Sequence, residues 1–263
     1  MLKFASITPH PPIIIPTIGA GADLKLASET IKGMKKLAEK FTEAKVETVL
    51  IISPHGQVDS SYFTIDQSPI LTGNFRAFGD LETELSFKND ENLIQEIEKN
   101  CREKNIPLRL INSGKLDHGT LVPLSFLCKN RPGIKVVPIA YSYLDLESHF
   151  KFGQVLYSAI NNSLYAIGII ASGDLSHRLT PDAPAGYSLK GAEFDEKLID
   201  MIKNKNSKGI LNMDQNLVGE AGECGYRSII TLLGALDGLN YEPEILSYEG
   251  PFGVGYLVAN FKF

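Results

Sequence analysis

The run Val49-Leu-Ile-Ile-Ser-Pro-His55-Gly constrains the fold more than any other stretch of the chain. Its apolar, largely β-branched residues follow one another without polar alternation, the pattern of a strand buried in a sheet. Pro54 and Gly56 end that strand and turn the chain, leaving His55 just beyond it. In open α/β sheets, ligands bind outside the carboxyl ends of the strands. A histidine there can equally satisfy a backbone group at a turn, so the rest of the chain decides its meaning.

The same layout recurs. A β-like run over 2–8 stops at Pro9-His10-Pro11-Pro12, where proline cannot continue a ladder. Helical spacing over 22–43 places Leu24, Leu26, Ile31, Met34, Leu37 and Phe41 on one broad face, and the strand ending at His55 follows. This β–loop–α–β start is that of an α/β arrangement; the fold expected for the chain is α/β, with a mixed central β-sheet flanked by helices. Short strands or a hairpin are expected within 57–87, where aromatic and aliphatic residues alternate with Asp, Ser, Gly and Asn. Helices are expected over 91–104, 121–128, 145–161, 189–203, 208–213 and 228–236. Strands are expected over 108–111, 136–141, 164–171, 244–248 and 254–261. No linker divides the chain, so residues 1–263 are expected to form one domain.

Composition narrows the function classes. A 43% apolar content supports a full core, and a net charge of −5 argues against a nucleic-acid surface. Three widely spaced cysteines, Cys101, Cys128 and Cys224, form neither a disulfide framework nor a zinc-finger pattern. Reduced thiols and a cytoplasmic location are the expectation. The N-terminal apolar run is too short for a signal peptide, and no window reaches a membrane-spanning length.

Four of the five histidines sit at element ends: His10, His55, His118 and His177. His149 falls mid-helix among charged residues and is expected to be solvated, outside any site. Neutral imidazole is the commonest metal ligand and relays protons near neutral pH. Two histidines with one carboxylate would suit non-haem Fe(II), and zinc hydrolysis uses similar ligands. The four can instead be turn and cap residues. The candidate carboxylates are Glu220, Glu223 and Asp174. Glu223 either points into a cleft from its Gly-rich segment or caps a helix. Asp174 either orients a histidine by accepting its ring N–H or makes an Asx turn. Cys224 is either a ligand or a small buried residue. Phe75, Phe78, Tyr187 and Phe252 either line a pocket or pack the core.

Thr8-Pro-His10-Pro-Pro, Ser53-Pro-His55-Gly, Leu116-Asp-His118-Gly-Thr-Leu-Val-Pro-Leu, Ser172-Gly-Asp-Leu-Ser-His177, Glu220-Ala-Gly-Glu-Cys-Gly and Tyr248-Glu-Gly-Pro-Phe-Gly-Val-Gly-Tyr stand in this order. Together they resemble the LigB-like class III extradiol ring-cleavage dioxygenase superfamily, and within it the AmmeMemoRadiSam branch that includes relatives of Memo. The resemblance implies a single LigB-like domain. It implies Fe(II), with zinc or copper as alternatives, held by His10, His55 and a glutamate, for which Glu223 is the choice. In Memo-like relatives a cysteine takes that third place, matching Cys224. His177 is implied as the acid/base acting on a catechol proton, with Asp174 beside it, and His118 as an assistant at substrate or O2. One form of this branch carries a second, C-terminal domain, which the chain is expected to lack after Phe263. Two functions follow as expectations. One is cleavage of a catecholic ring with O2. The other is a metal-binding, non-dioxygenase component of a radical-associated modification system, with that system's proteins as partners. A small aromatic diol, homo-oligomerisation, and no nucleic-acid or membrane partner complete the expectation.

Overall fold

A computed structural model describes every residue except Asn130. The strands are β1 (Leu2–Thr8), β2 (Thr48–Ser53), β3 (Phe63–Asp66), β4 (Ile70–Asn74), β5 (Glu84–Lys88), β6 (Leu108–Ile111), β7 (Lys135–Ala140), β8 (Ile167–Ser172), β9 (Glu242–Glu249) and β10 (Tyr256–Lys262). The helices are α1 (Gly21–Leu26), α2 (Ser28–Glu43), α3 (Glu91–Glu103), α4 (His118–Leu127), α5 (Leu146–Asn161), α6 (Leu189–Lys203), α7 (Ser207–Leu211), α8 (Gln215–Ala221) and α9 (Tyr226–Ala235). Among the described residues, no helix is long and apolar enough to cross a membrane.

Among the described residues, ten strands join one mixed sheet, in the order β4-β5-β7-β2-β8-β1-β10-β9, with β3 pairing β7 and β6 pairing β3. The middle of the sheet is parallel: β2 pairs β7 and β8, and β8 pairs β1. β10 returns antiparallel to β1, and β9 antiparallel to β10. Every residue of β2 and of β8 is buried. That follows from their position, since a parallel strand between two helical layers buries both faces. Leu50 and Ile52 pack with α3, α5, α6 and α9 on one side, while Val49 and Ile51 pack with α2 and α4 on the other.

Register lines up the strand ends. Thr8 lies opposite Ser172, Ile52 opposite Ala171, and Ser53 opposite Ala140. Because these strands run parallel, the segments after β1, β2 and β8 leave the sheet at the same edge, and these segments carry His10, His55 and Asp174.

The predicted mixed sheet flanked by helices is the observed architecture. Details differ where side chains outvote periodicity. The helix over 22–43 is interrupted at Ala27, whose φ/ψ of −93°/25° leaves the helical region. α4 begins at His118 rather than 121, because the Asp117 carboxylate caps it by accepting from Thr120 N. α8 has no counterpart among the expected helices; Asp214 caps it by accepting from Asn216 N. The segment over 57–87 does contain a hairpin, β4 against β5.

His149 requires a correction. It is fully buried, not solvated. Its Nδ1 lies 2.8 Å from Asp145 O and its Nε2 3.0 Å from Ser142 O, with the Phe63 ring 4.9 Å away. The charged neighbours Glu147 and Lys151 pair with each other on the outer face of α5. His149 instead shares the inner face with Phe152 and Leu156, at helical spacing.

Candidate metal centre

The two prolines around His10 end β1 and leave its imidazole inside the protein, 2% exposed. Its backbone N donates to Asp174 Oδ1 at 2.9 Å, tying the end of β1 to the segment after β8. Its Nε2 lies 3.1 Å from His55 Nε2. His55 is held from its own turn: its N–H donates to Ser53 Oγ at 3.2 Å, and Ser53 Oγ donates to Asp117 Oδ1 at 2.6 Å. Asp117 also caps α4, so one carboxylate positions both the His55 turn and the helix that starts with His118. The His118 ring stacks on His55 with centroids 4.2 Å apart.

The fourth histidine approaches from the other side. His177 Nδ1 donates to Gly222 O at 2.6 Å, which leaves Nε2 facing the pocket, 3.9 Å from Asp174 Oδ2. The same oxygen lies 4.0 Å from His10 Nε2. The Asp174 carboxylate therefore stands between two imidazoles. The structure thus brings His10, His55, His118, Asp174 and His177 into one pocket, and leaves His149 outside it.

Of the adjacent pair Glu223 and Cys224, it is the cysteine that faces His10. Cys224 Sγ is 3.6 Å from His10 Nε2 and accepts from Asp174 N at 3.3 Å. The Glu223 carboxylate turns to the start of α9, where it accepts from Tyr226 N at 2.5 Å. Glu220 lies on α8, where its carboxylate pairs with the partly exposed Arg178 guanidinium at 3.7 Å. What aims Cys224 is backbone packing. Gly173 and Gly225 cross so closely that a Cβ built on Gly173 would sit 2.1 Å from Gly225 Cα. That approach lets Cys224 N and Gly225 N both donate to Asp174 O, at 3.3 and 3.0 Å.

Electrostatics favour neutral imidazoles on one side of the pocket. Burial, then the neighbouring His10 and His118, lowers the His55 pKa to about 4. Burial and His10 lower that of His118. Burial also acts downward on His177, but the Asp174 carboxylate, Gly222 O and Glu223 together outweigh it and the net shift is upward. Burial pushes the Glu223 carboxyl up to about 7 and holds the Cys224 thiol well above its ordinary value.

The donor set fits a metal ion. Ligand atoms of His10, His55 and Cys224 all lie within 4.8 Å of one another, and so do those of Asp174, His177 and Cys224. Nitrogen and sulfur donors at ~2.1 and ~2.3 Å from a common ion lie about 3–3.7 Å apart. The observed separations of 3.1 and 3.6 Å match this. Two imidazoles with a thiolate form a softer set than two imidazoles with a carboxylate.

Of the four aromatic candidates for the pocket wall, Phe78 touches the site, its ring 5.3 Å from His118. Phe75 is buried in the core on the α2 and α4 side, Phe252 packs half-buried against that core, and Tyr187 is exposed. Sequence reasoning assigned no role to Ser172 or Asp117. Each stands within a motif that also carries a site histidine, and that adjacency is the one signal the sequence offers for them.

Asp195 on α6 braces the His177 segment from behind. It accepts from Ser176 N at 2.8 Å and from the Tyr248 hydroxyl at 2.6 Å. Burial nevertheless pushes its pKa from 3.8 up to about 6. The folded protein thus holds this proton more tightly than the unfolded chain. The associated stability is full below about 4 and is lost as pH rises through about 6. The difference amounts to about 3 kcal/mol at most. Asp195→Asn is expected to flatten the pH dependence of stability between these values, read by urea unfolding across that range.

The family model described as the catalytic LigB subunit of aromatic ring-opening dioxygenase matches residues 4–259. Protein CA_C1420 of Clostridium acetobutylicum is 36% identical over 265 residues, covering 97% of this chain and 56% of that protein. The chain therefore spans little more than half the length of that relative. The 3,4-dihydroxyphenylacetate 2,3-dioxygenase of Escherichia coli is 25% identical over 241 residues, 82% of this chain and 83% of the enzyme. A MEMO1 family protein of Methanosarcina mazei is 30% identical over 122 residues, 46% of this chain and 42% of that protein. The crystal structure of an uncharacterized Escherichia coli K12 protein, JW3007, superposes with a TM-score of 0.70 at 17% identity, covering 99% of this chain and all of that one, a likeness of fold.

Proposed function

The chain belongs to the family of the catalytic LigB subunit of aromatic ring-opening dioxygenases, and from that premise we propose that it is a Memo-like member whose pocket holds a thiophilic or redox-active metal through His10, His55 and Cys224. The observation that carries this reading is the placement of Cys224 Sγ 3.6 Å from His10 Nε2, while Glu223 is spent on capping α9. A thiolate suits copper, zinc or a redox-active ion better than it suits Fe(II) with open oxygen-chemistry positions. When bound, such an ion supplies Lewis acidity and, if redox-active, one-electron chemistry. The protein's own residues do the rest. Phe78, partly exposed beside the His118 ring, supplies an apolar contact for a small molecule at the site. His177, with Nδ1 committed to Gly222 O, presents Nε2 as the atom that takes or returns a proton, and Asp174 stabilises its charged form. In this reading the chain serves as a component of a radical-associated modification system and opens no aromatic ring.

A second reading is extradiol cleavage of a catechol with O2 and Fe(II). It is favoured by the acid/base pair of His177 and Asp174 beside the donor set, and by the likeness to 3,4-dihydroxyphenylacetate 2,3-dioxygenase over most of the chain. There His177 Nε2 would accept a hydroxyl proton of the diol. Metal analysis of protein purified without added metal, followed by anaerobic loading with Fe(II) and oxygen uptake on a panel of catechols, separates the two. The expected result is a filled iron site with no oxygen uptake on any catechol. Stoichiometric uptake with a ring-opened product overturns the first reading in favour of the second.

A further inference from the structure

Ser172 ends β8 at the floor of the pocket and is fully buried. Its Oγ lies 2.5 Å from Gly119 O and 2.9 Å from His10 Nδ1. A carbonyl oxygen only accepts, so the single hydroxyl proton of Ser172 is committed to Gly119 O. Toward His10 the same oxygen can therefore only accept, and His10 Nδ1 must carry the proton. In the neutral ring the other nitrogen, Nε2, then keeps its lone pair, and that is the atom facing His55 Nε2 and Cys224 Sγ. Gly119 follows His118 in the first turn of α4, so this one hydroxyl also ties the His10 ring to the helix that presents His118.

We propose that Ser172 is a positioning residue that locks His10 into the Nδ1–H tautomer and so aims the Nε2 lone pair at the donor cluster. The clause about the metal rests on the reading of His10 as a ligand; the clause about the tautomer does not. A second partner of this kind fixes ring orientation and raises ligand basicity, and its loss typically weakens metal binding by about 10–100-fold. Among the described residues, Ser172 Oγ is the hydrogen-bond partner of this nitrogen, and the Asp174 carboxylate lies on the Nε2 side of the ring.

The test has two independent arms. In the first, long-range 1H–15N spectra of metal-free protein labelled in histidine read the tautomer, with the His10 signals identified as those lost in His10→Gln. Wild type and Ser172→Thr are expected to show protonated Nδ1, and Ser172→Ala a mixture of both tautomers. In the second, Co(II) titration reads affinity. Ser172→Ala is expected to bind about 10–100-fold more weakly than wild type, and Ser172→Thr, which keeps the hydroxyl, to recover most of the loss. A wild-type His10 protonated at Nε2 overturns the proposal. So does a Ser172→Ala variant whose tautomer or whose Co(II) affinity is unchanged. If Ser172→Ala does not fold, the wild-type tautomer decides together with Ser172→Thr: protonated Nδ1 and near-wild-type affinity in both support the role, and any other result overturns it. Wild-type protein that binds no Co(II) overturns the ligand reading of His10 instead, and the first arm alone then judges the lock.

Discussion

Cys224→Ala is expected to leave the protein folded and without stoichiometric metal, whereas Glu223→Ala keeps its metal and loses stability. The two residues are neighbours, yet their side chains serve different parts of the molecule. Cys224 Sγ lies within 3.6 Å of His10 Nε2, and its removal leaves two imidazoles where three donors stood. Losing a ligand costs more affinity than losing a residue behind it, so the drop exceeds about 100-fold. The thiol is small and its site is polar, so the cost in fold stability is small by comparison. Glu223 makes its hydrogen bond to Tyr226 N at the start of α9. Removing a cap costs about 0.5–2 kcal/mol and leaves the donor cluster in place. Metal content by inductively coupled plasma analysis and urea unfolding, measured on both variants, read the two effects separately. A Glu223→Ala protein without metal and a Cys224→Ala protein with full metal would reverse the assignment and restore the two-histidine, one-carboxylate set.

Gly173→Ala is expected to destabilise the fold and to empty the metal site together. The added Cβ would meet Gly225 Cα at 2.1 Å and Gly225 N at 2.9 Å. Both are backbone atoms, so no rotamer change relieves the contact; the segment after β8 and the start of α9 must separate. Overpacking a core typically costs 1–3 kcal/mol, and a backbone-on-backbone clash belongs at or above the top of that range, about 3 kcal/mol or more. Separation also breaks the pair of bonds to Asp174 O that sets the position of Cys224. The variant should therefore lose metal as well as stability, which distinguishes it from Asp195→Asn, where only the pH profile moves. Thermal unfolding and metal content together check it. A variant with wild-type values in both would show that this crossing does not aim Cys224.

Much of this architecture is legible in the amino-acid sequence, and for a definite reason. β2 and β8 are buried along their whole length because both faces are covered, and the apolar runs inside them, 49–52 and 167–171, stand out in a sequence. Proline and glycine then mark where each strand must stop, so His10 and His55 are recognisable as residues at strand ends. His149 shows the limit of that reasoning. Its burial depends on which face of α5 meets the sheet, and the charged neighbours two positions away on either side point the other way. α4 and α9 likewise begin where a carboxylate caps them, at His118 and Tyr226, and not where the apolar pattern resumes.

The third donor was beyond the reach of the sequence, which allows either Glu223 or Cys224 to face the pocket. Adjacent side chains in a tight turn diverge, and which one turns inward depends on the segment packed against them, here Gly173 and Asp174, some fifty positions earlier in the chain. The sequence by itself determined the buried strands, the strand ends and the histidines placed there, because hydrophobic periodicity and chain-breaking residues are local. Only the tertiary structure decided that Cys224 and not Glu223 meets His10, and that Ser172 sets which nitrogen His10 offers, because both depend on contacts between backbone segments that the chain brings together only when it folds.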